Sequence, residues 1–170
     1  ILLYFFAING LYLVLFAASC FVVFRYRWIL RFQGPFEVLL AKVTPPVSIL
    51  VPAFNEEANI ATSVRSLLHL TYSRYEVIVV NDGSTDGTLA ALTHAFRLRR
   101  TAFSAEPTLP SAPVKAIYRS RTDPNLWVID KDNGGKADSL NAGINFCRYP
   151  LFCAVDADSI LERDALARVV

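Results

Sequence analysis

The chain is 170 residues long, 54% hydrophobic and 19% charged, with a formal net charge of +2. Soluble domains average about 45–50% apolar and about 25% charged residues, so this composition excludes a disordered chain and points to a membrane segment. Base is not clustered on the polar part of the chain, which excludes a nucleic-acid partner.

The apolar excess is local. Ile1 to Phe24 carries no charged side chain. As a helix rising 1.5 Å per residue, that stretch is about 36 Å long, enough to cross a hydrocarbon core of about 30 Å with some tilt. A signal peptide has a shorter apolar region followed by a small-residue cleavage site. A buried core helix has a polar stripe, whereas this run offers only Asn9, Gly10 and Ser19. Residues 1–24 therefore read as a transmembrane helix. Residues 25–46 hold Arg25, Arg27, Arg31 and Lys42 against Glu37, a net of +3, with Tyr26 and Trp28 at interfacial positions. The positive-inside rule then places everything after residue 24 in the cytoplasm, on the inner (plasma) membrane. Two readings of this connector are open. Trp28, Ile29, Leu30 and Phe32, then Phe36, Val38, Leu39 and Leu40, fit one or two interfacial helices broken at Gly34-Pro35, and they also fit a packed linker.

From Val47 the pattern changes to strand alternating with helix. Val47 to Val51 is a short apolar run ending at Pro52, and reads as a buried strand. Asn55 is a suitable N-cap for a helix with Glu56 and Glu57 in its first turn and Ile60, Val64, Leu67 and Leu68 at helical spacing. A second strand, Tyr75 to Val80, runs into Asn81-Asp82-Gly83-Ser84, and a helix follows from about Asp86 to Arg99, with Arg97, Arg99 and Arg100 at its solvated end. Residues 101–113 are a proline-containing loop. Val114 to Tyr118 reads as a third strand and Leu126 to Ile129 as a fourth, more exposed one. Lys136 to Phe146 reads as a helix, Leu151 to Val155 as another buried strand, and a last helix is expected near Ser159. Such alternation means a mostly parallel α/β sheet with crossover helices over residues 47–170. In sheets of this kind ligands bind beyond the carboxyl ends of the strands. The polar clusters stand at those ends: Asn55-Glu56, Asn81-Asp82, then Asp156 and Asp158.

Asp156-Ala157-Asp158 offers two hard oxygen ligands that suit Mg²⁺ or Mn²⁺ held jointly with a diphosphate; Asp158 as a helix cap is the plainer reading. The run from Asp82 to Thr93 imitates a calcium loop but ends in Thr93 rather than Glu, and Asp130-Lys131-Asp132 fails in the same way at Asn141. Gly134-Gly135-Lys136 lacks the leading glycine and the Ser or Thr of a phosphate loop. What remains is a glycine pair that admits a ligand near the backbone and a lysine at a helix start, where positive charge favours a phosphate. His69 and His94 stand singly. Cys20, Cys147 and Cys153 lack metal-ligand spacing and read as small hydrophobes in a reducing compartment.

Four stretches in this order carry a resemblance: Val51 to Glu57, Val80 to Thr88, Asn133 to Gly143 and Val155 to Ser159. Together they resemble the inverting glycosyltransferase family 2 and the nucleotide-binding half of its GT-A (Rossmann-like) fold. With an apolar helix ahead of them, they resemble in particular the family's processive membrane synthases of poly-N-acetylglucosamine, hyaluronan and cellulose. The resemblance implies a UDP-sugar donor, a growing glycan or lipid-linked acceptor, contact with membrane lipid, and a divalent cation. Residue by residue, it implies that Pro52, Ala53, Asn55 and Glu56 line a uridine pocket and that Asp82 accepts the uracil N3–H. It implies further that Lys136 approaches the diphosphate, that Asp156 lies at the ribose and donor sugar, and that Asp158 and Asp156 hold the metal. A general base is expected beyond Val170, so the catalytic domain is expected to be incomplete here. A non-processive transferase of lipid-linked or surface glycans, and a non-catalytic nucleotide-binding domain tethered to the membrane, are the alternatives.

Overall fold

In the computed structural model, which describes residues 2–32, 44–102 and 108–170, the chain divides into two units, residues 1–43 and 44–170. Among the described residues the first contains one helix, α1 (Leu2–Phe32). Its stretch Tyr4–Arg25 has a mean hydropathy of 2.2 and none of it is buried, so by length and composition it is a candidate membrane span. The helix does not stop at residue 24. It carries on through Trp28 to Phe32, while Gly34-Pro35 and the apolar residues 36–40 lie outside the described residues.

The second unit is a six-stranded sheet with helices on both faces. Its elements in chain order are β1 (Val47–Ala53), α2 (Ile60–Leu68), β2 (Tyr75–Asp82), α3 (Thr88–Phe96), β3 (Arg99–Thr101), β4 (Val114–Arg119), β5 (Leu126–Lys131), α4 (Lys136–Phe146), β6 (Leu151–Ala154) and α5 (Ala165–Val169). The strands lie in the order β3-β4-β5-β2-β1-β6. β1 pairs in parallel with β2 and β6, and β2 with β5; β4 is antiparallel to both β5 and β3.

Alternate residues of a strand point to opposite faces, and the two central strands use both. Ile49, Val51, Val77, Val79 and Val128 pack with Ile60, Val64 and Leu67 of α2 and with Leu92 and Phe96 of α3. Leu50, Ile78, Val80 and Ile129 pack with Ala142 of α4 on the other face. Burial on both sides explains why Ile49-Leu-Val51 and Val77-Ile-Val-Val80 are apolar at successive positions rather than alternating.

Several expectations change. The segment at Asn55 is a turn with Asn55 in the left-handed region (φ 57), and α2 begins only at Ile60. Arg97, also left-handed, closes α3, so Arg99 and Arg100 belong to a three-residue edge strand that periodicity cannot detect. β5 is interior rather than exposed, because β4 turns back antiparallel and covers its outer edge. β6 is the reverse case: it pairs only with β1 and leaves Leu151 and Phe152 exposed. The last helix starts at Ala165 rather than Ser159, since residues 155–164 form the turn that carries the paired aspartates.

Candidate nucleotide-sugar site

The carboxyl ends of β1, β2 and β5 are tied together by their loops. Asn55 is held from both sides: its backbone N–H donates to Ser84 Oγ at 3.0 Å, and its side-chain oxygen accepts the Thr85 N–H at 2.8 Å. The Glu56 N–H donates to Thr88 Oγ1 at 2.8 Å, the Glu57 N–H to Asp86 at 3.1 Å, and the Gly87 N–H to the Glu57 carboxylate at 3.0 Å. Asn55 therefore does not cap α2. Its side chain joins the loop after β1 to the loop after β2, and the two acidic residues beside it serve the same joint. Pro52 and Ala53, the last residues of β1, are half-buried and buried beneath it.

Asp82 ends β2 and is 3% exposed. Lys131, at the end of β5 and 0% exposed, places its ammonium 2.5 Å from Asp82 Oδ1 and 2.7 Å from Asp138 Oδ2, and donates to the Asp132 carbonyl at 2.7 Å. The backbone N–H groups of Gly134 and Gly135 donate to Asp82 at 3.0 and 2.8 Å. The glycine pair expected to admit a ligand near the backbone here holds a carboxylate of the chain's own. Burial opposes ionisation of Asp82, but Lys131 and the two glycine N–H groups outweigh it and keep the carboxyl below its usual range. Lys131 is raised in turn: its burial disfavours charge, and Asp138 and Asp82 more than offset that. Lys131 was overlooked in the sequence, although a lysine closing an apolar run, Leu126-Trp-Val-Ile-Asp-Lys131, is a signal for a paired interior charge.

Lys136 opens α4, and its ammonium forms an ion pair with Asp156 in the turn after β6. In that turn the Ser159 N–H donates to the Asp156 carbonyl at 3.0 Å. Ala157 is buried and both Asp156 and Asp158 are exposed, so the two carboxylates leave the fold on the solvent side of the same turn. Two hard carboxylates fit a small divalent cation that completes its shell with water and phosphate oxygens. Among the described residues no group of three acidic, histidine or cysteine side chains forms a cage made of protein alone. The structure thus brings Asp82, Lys136, Asp156 and the loop of Asn55 and Glu56 to the carboxyl ends of the sheet strands.

Residues 48–105 match the family model for glycosyl transferase family 2. Across that stretch the chain is similar to glycosyl transferase family 2. Poly-beta-1,6-N-acetyl-D-glucosamine synthase of Staphylococcus aureus is 28% identical to it over 120 residues, which is 70% of this chain but only 23% of that protein. Among solved structures, the mannosyltransferase PcManGT of Pyrobaculum calidifontis, in complex with GDP-Man and Mn²⁺, shares the fold at a TM-score of 0.57 and 24% identity over 75% of this chain and 32% of that one. TarS 1-349 of S. aureus in complex with UDP-GlcNAc does so at 0.52 and 23% identity, over 72% and 29%. The α/β fold expected from the sequence, mostly parallel and of GT-A type, is the one observed.

Proposed function

We propose that this chain is the donor-binding part of a membrane-anchored inverting glycosyltransferase of family 2, which transfers a sugar from a UDP-sugar to a growing polysaccharide. The observation that carries the reading is the ion pair between Lys136 at the start of α4 and Asp156 in the Asp156-Ala157-Asp158 turn. It joins a cation at a helix N-terminus to a pair of hard ligands, the combination a sugar-nucleotide diphosphate requires. Mg²⁺ or Mn²⁺ held by Asp156 and Asp158 would supply positive charge against the leaving diphosphate. Lys136 adds a second positive charge, the Asn55 and Glu56 loop with Pro52 and Ala53 walls the uridine, and Asp82 presents an acceptor to the uracil N3–H. The relative's name, a polysaccharide synthase, and the TarS complex with UDP-GlcNAc support this choice of donor and product. An acceptor hydroxyl still needs a general base, which this reading places outside residues 47–170. Apolar α1 and the arginines at 25, 27 and 31 support an inner-membrane anchor with the sheet domain in the cytoplasm.

Calorimetry on the full-length protein in Mn²⁺ tests the donor: UDP is expected to bind at least about tenfold tighter than CDP, a difference of about 1.4 kcal/mol. Cytosine presents an unprotonated N3 that a carboxylate repels, so equal affinities would exclude the role given to Asp82. Asp158→Asn tests the metal. Asparagine keeps the shape of aspartate in this exposed turn but is a poorer ligand for Mg²⁺ or Mn²⁺. The melting temperature is expected to hold while the Mn²⁺ enhancement of UDP binding disappears and turnover drops by orders of magnitude. Unchanged activity and metal response would exclude Asp158 as a metal ligand; a helix-capping role is already excluded, since the last helix begins at Ala165 with Asp164 as its cap.

A further inference from the structure

Glu76 lies inside the apolar run of β2 and is 1% exposed, far from the strand ends that form the candidate site. Its Oε1 accepts from Ser48 Oγ at 2.7 Å and from the Arg148 backbone N–H at 2.9 Å; its Oε2 accepts from Arg148 Nε and Nη2, each at 2.6 Å. One carboxylate thus fixes both the main chain and the side chain of Arg148. The guanidinium is confined further by Trp127, whose ring centre is 5.0 Å away, and Tyr149 at 5.9 Å. Arg148 stands in the short joint between α4 and β6, and both elements lead from it to the candidate site: α4 runs back to Lys136, and β6 runs forward to Asp156 and Asp158.

β6 has little of its own to hold it. It is four residues long, lies at the sheet edge and leaves Leu151 and Phe152 in solvent. Its register on β1 sets the height of the aspartates, together with the Val155 N–H, which donates to the Leu50 carbonyl at 2.9 Å, and the burial of Val155 and Ala157 on either side of Asp156. Glu76 is buried while the Arg148 side chain is 41% exposed; an ion pair taken into the fold is weak as a source of stability and best attested as a device that fixes register. Resting on the donor-phosphate reading above, we infer that the Glu76–Arg148 pair is a positioning clamp: by pinning the joint between α4 and β6, it sets the spacing of Lys136 from Asp156 and Asp158.

The experiment measures UDP affinity of the full-length protein in Mn²⁺ and again in EDTA, for wild type, Glu76→Gln, Arg148→Lys and Lys136→Ala. Glutamine keeps the shape of Glu76 but not its charge, and lysine keeps the charge of Arg148 but not its fork. The dissociation constant in Mn²⁺ is expected to rise about tenfold in Glu76→Gln and severalfold in Arg148→Lys, with the EDTA value within about twofold of wild type. Equal weakening in both media, or none in either, would overturn the clamp, provided Lys136→Ala weakens binding in Mn²⁺. If Lys136→Ala has no effect, the donor-phosphate reading fails and the clamp falls with it. Should Glu76→Gln not fold, Arg148→Lys alone decides, because the Arg148 side chain is 41% exposed and a lysine ammonium in its place can reach water.

Discussion

Lys131 exchanges the hydration of its ammonium for two carboxylates and a carbonyl, and Asp82 exchanges its own for that ammonium and two backbone N–H groups. Removing one member of such a set leaves a buried charge uncompensated, which costs about 3–5 kcal/mol. Lys131→Met is therefore expected to lower the melting temperature markedly, and Lys131→Met with Asp82→Asn to lower it less than the single change. The same groups fix the pH response. Asp82 and Asp138 have folded values below the unfolded carboxylate value of about 3.9, so their contribution is complete above that pH and fades as pH falls through the folded values. Lys131 is raised above about 10.4, so its contribution is complete below that pH and fades as pH rises through its folded value. Thermal melts are expected to be flat between about pH 5 and 9 as far as this cluster is concerned, and Lys131→Met is expected to remove the alkaline fall. An alkaline limb that survives the substitution would assign it elsewhere.

Elements differ in how plainly their residues announce them. β1, β2 and α4 are legible: two strands with apolar residues at successive positions, buried on both faces, and a helix whose start at Lys136 follows from the glycine pair before it. β3 was not legible, because three residues carry no periodicity and owe their conformation to the edge of β4. β5 and β6 were assigned but with burial reversed, since the position of a strand in the sheet order is a long-range property that local pattern does not hold. The candidate site divides along the same line. Asp82, Lys136, Asp156 and Asp158 could be placed because they follow strands or open a helix. The partners of Asp82 and Asn55 could not, because each is chosen by loops that meet only in space.

The glycines before α4 show the same dependence and can be tested. Gly135, at φ 87 and ψ 173, occupies a region open essentially to glycine alone. A Cβ there meets nothing within 4 Å, so Gly135→Ala carries backbone strain only, about 1–3 kcal/mol. Gly83, at φ 65, adds a collision, since a Cβ would lie 2.7 Å from the Asn133 nitrogen. Denaturant unfolding is expected to rank Gly83→Ala as the more damaging of the two; the opposite order would mean that the loop at Asn133 yields easily.

For the molecule as a whole, α1 sets the testable quantity. Its 31 residues span about 46 Å, longer than a hydrocarbon core of about 30 Å, and Arg25 lies at the end of the apolar stretch with more helix beyond it. A fluorescent-protein fusion after residue 46 is expected to fluoresce and an alkaline-phosphatase fusion at the same point to be inactive, as required if the donor comes from the cytosol. Active phosphatase there would reverse the orientation and remove access to a cytosolic sugar nucleotide.

The partners that satisfy Asp82 lie 49, 52 and 53 residues further along the chain. At a synthesis rate of about 5–20 residues per second, the end of β2 leaves the ribosome some 3–10 s ahead of the lysine and glycines that complete it. During that interval the nascent chain holds a carboxylate with no counter-charge, and β2 cannot bury its last turn at full strength. Assembly of this protein during translation is therefore expected to follow an order: the carboxyl end of β2 closes only once the start of α4 has emerged. A ribosome halted before Gly135 would display a β2 whose hydrophobic middle is ready to fold while its working end is still wet.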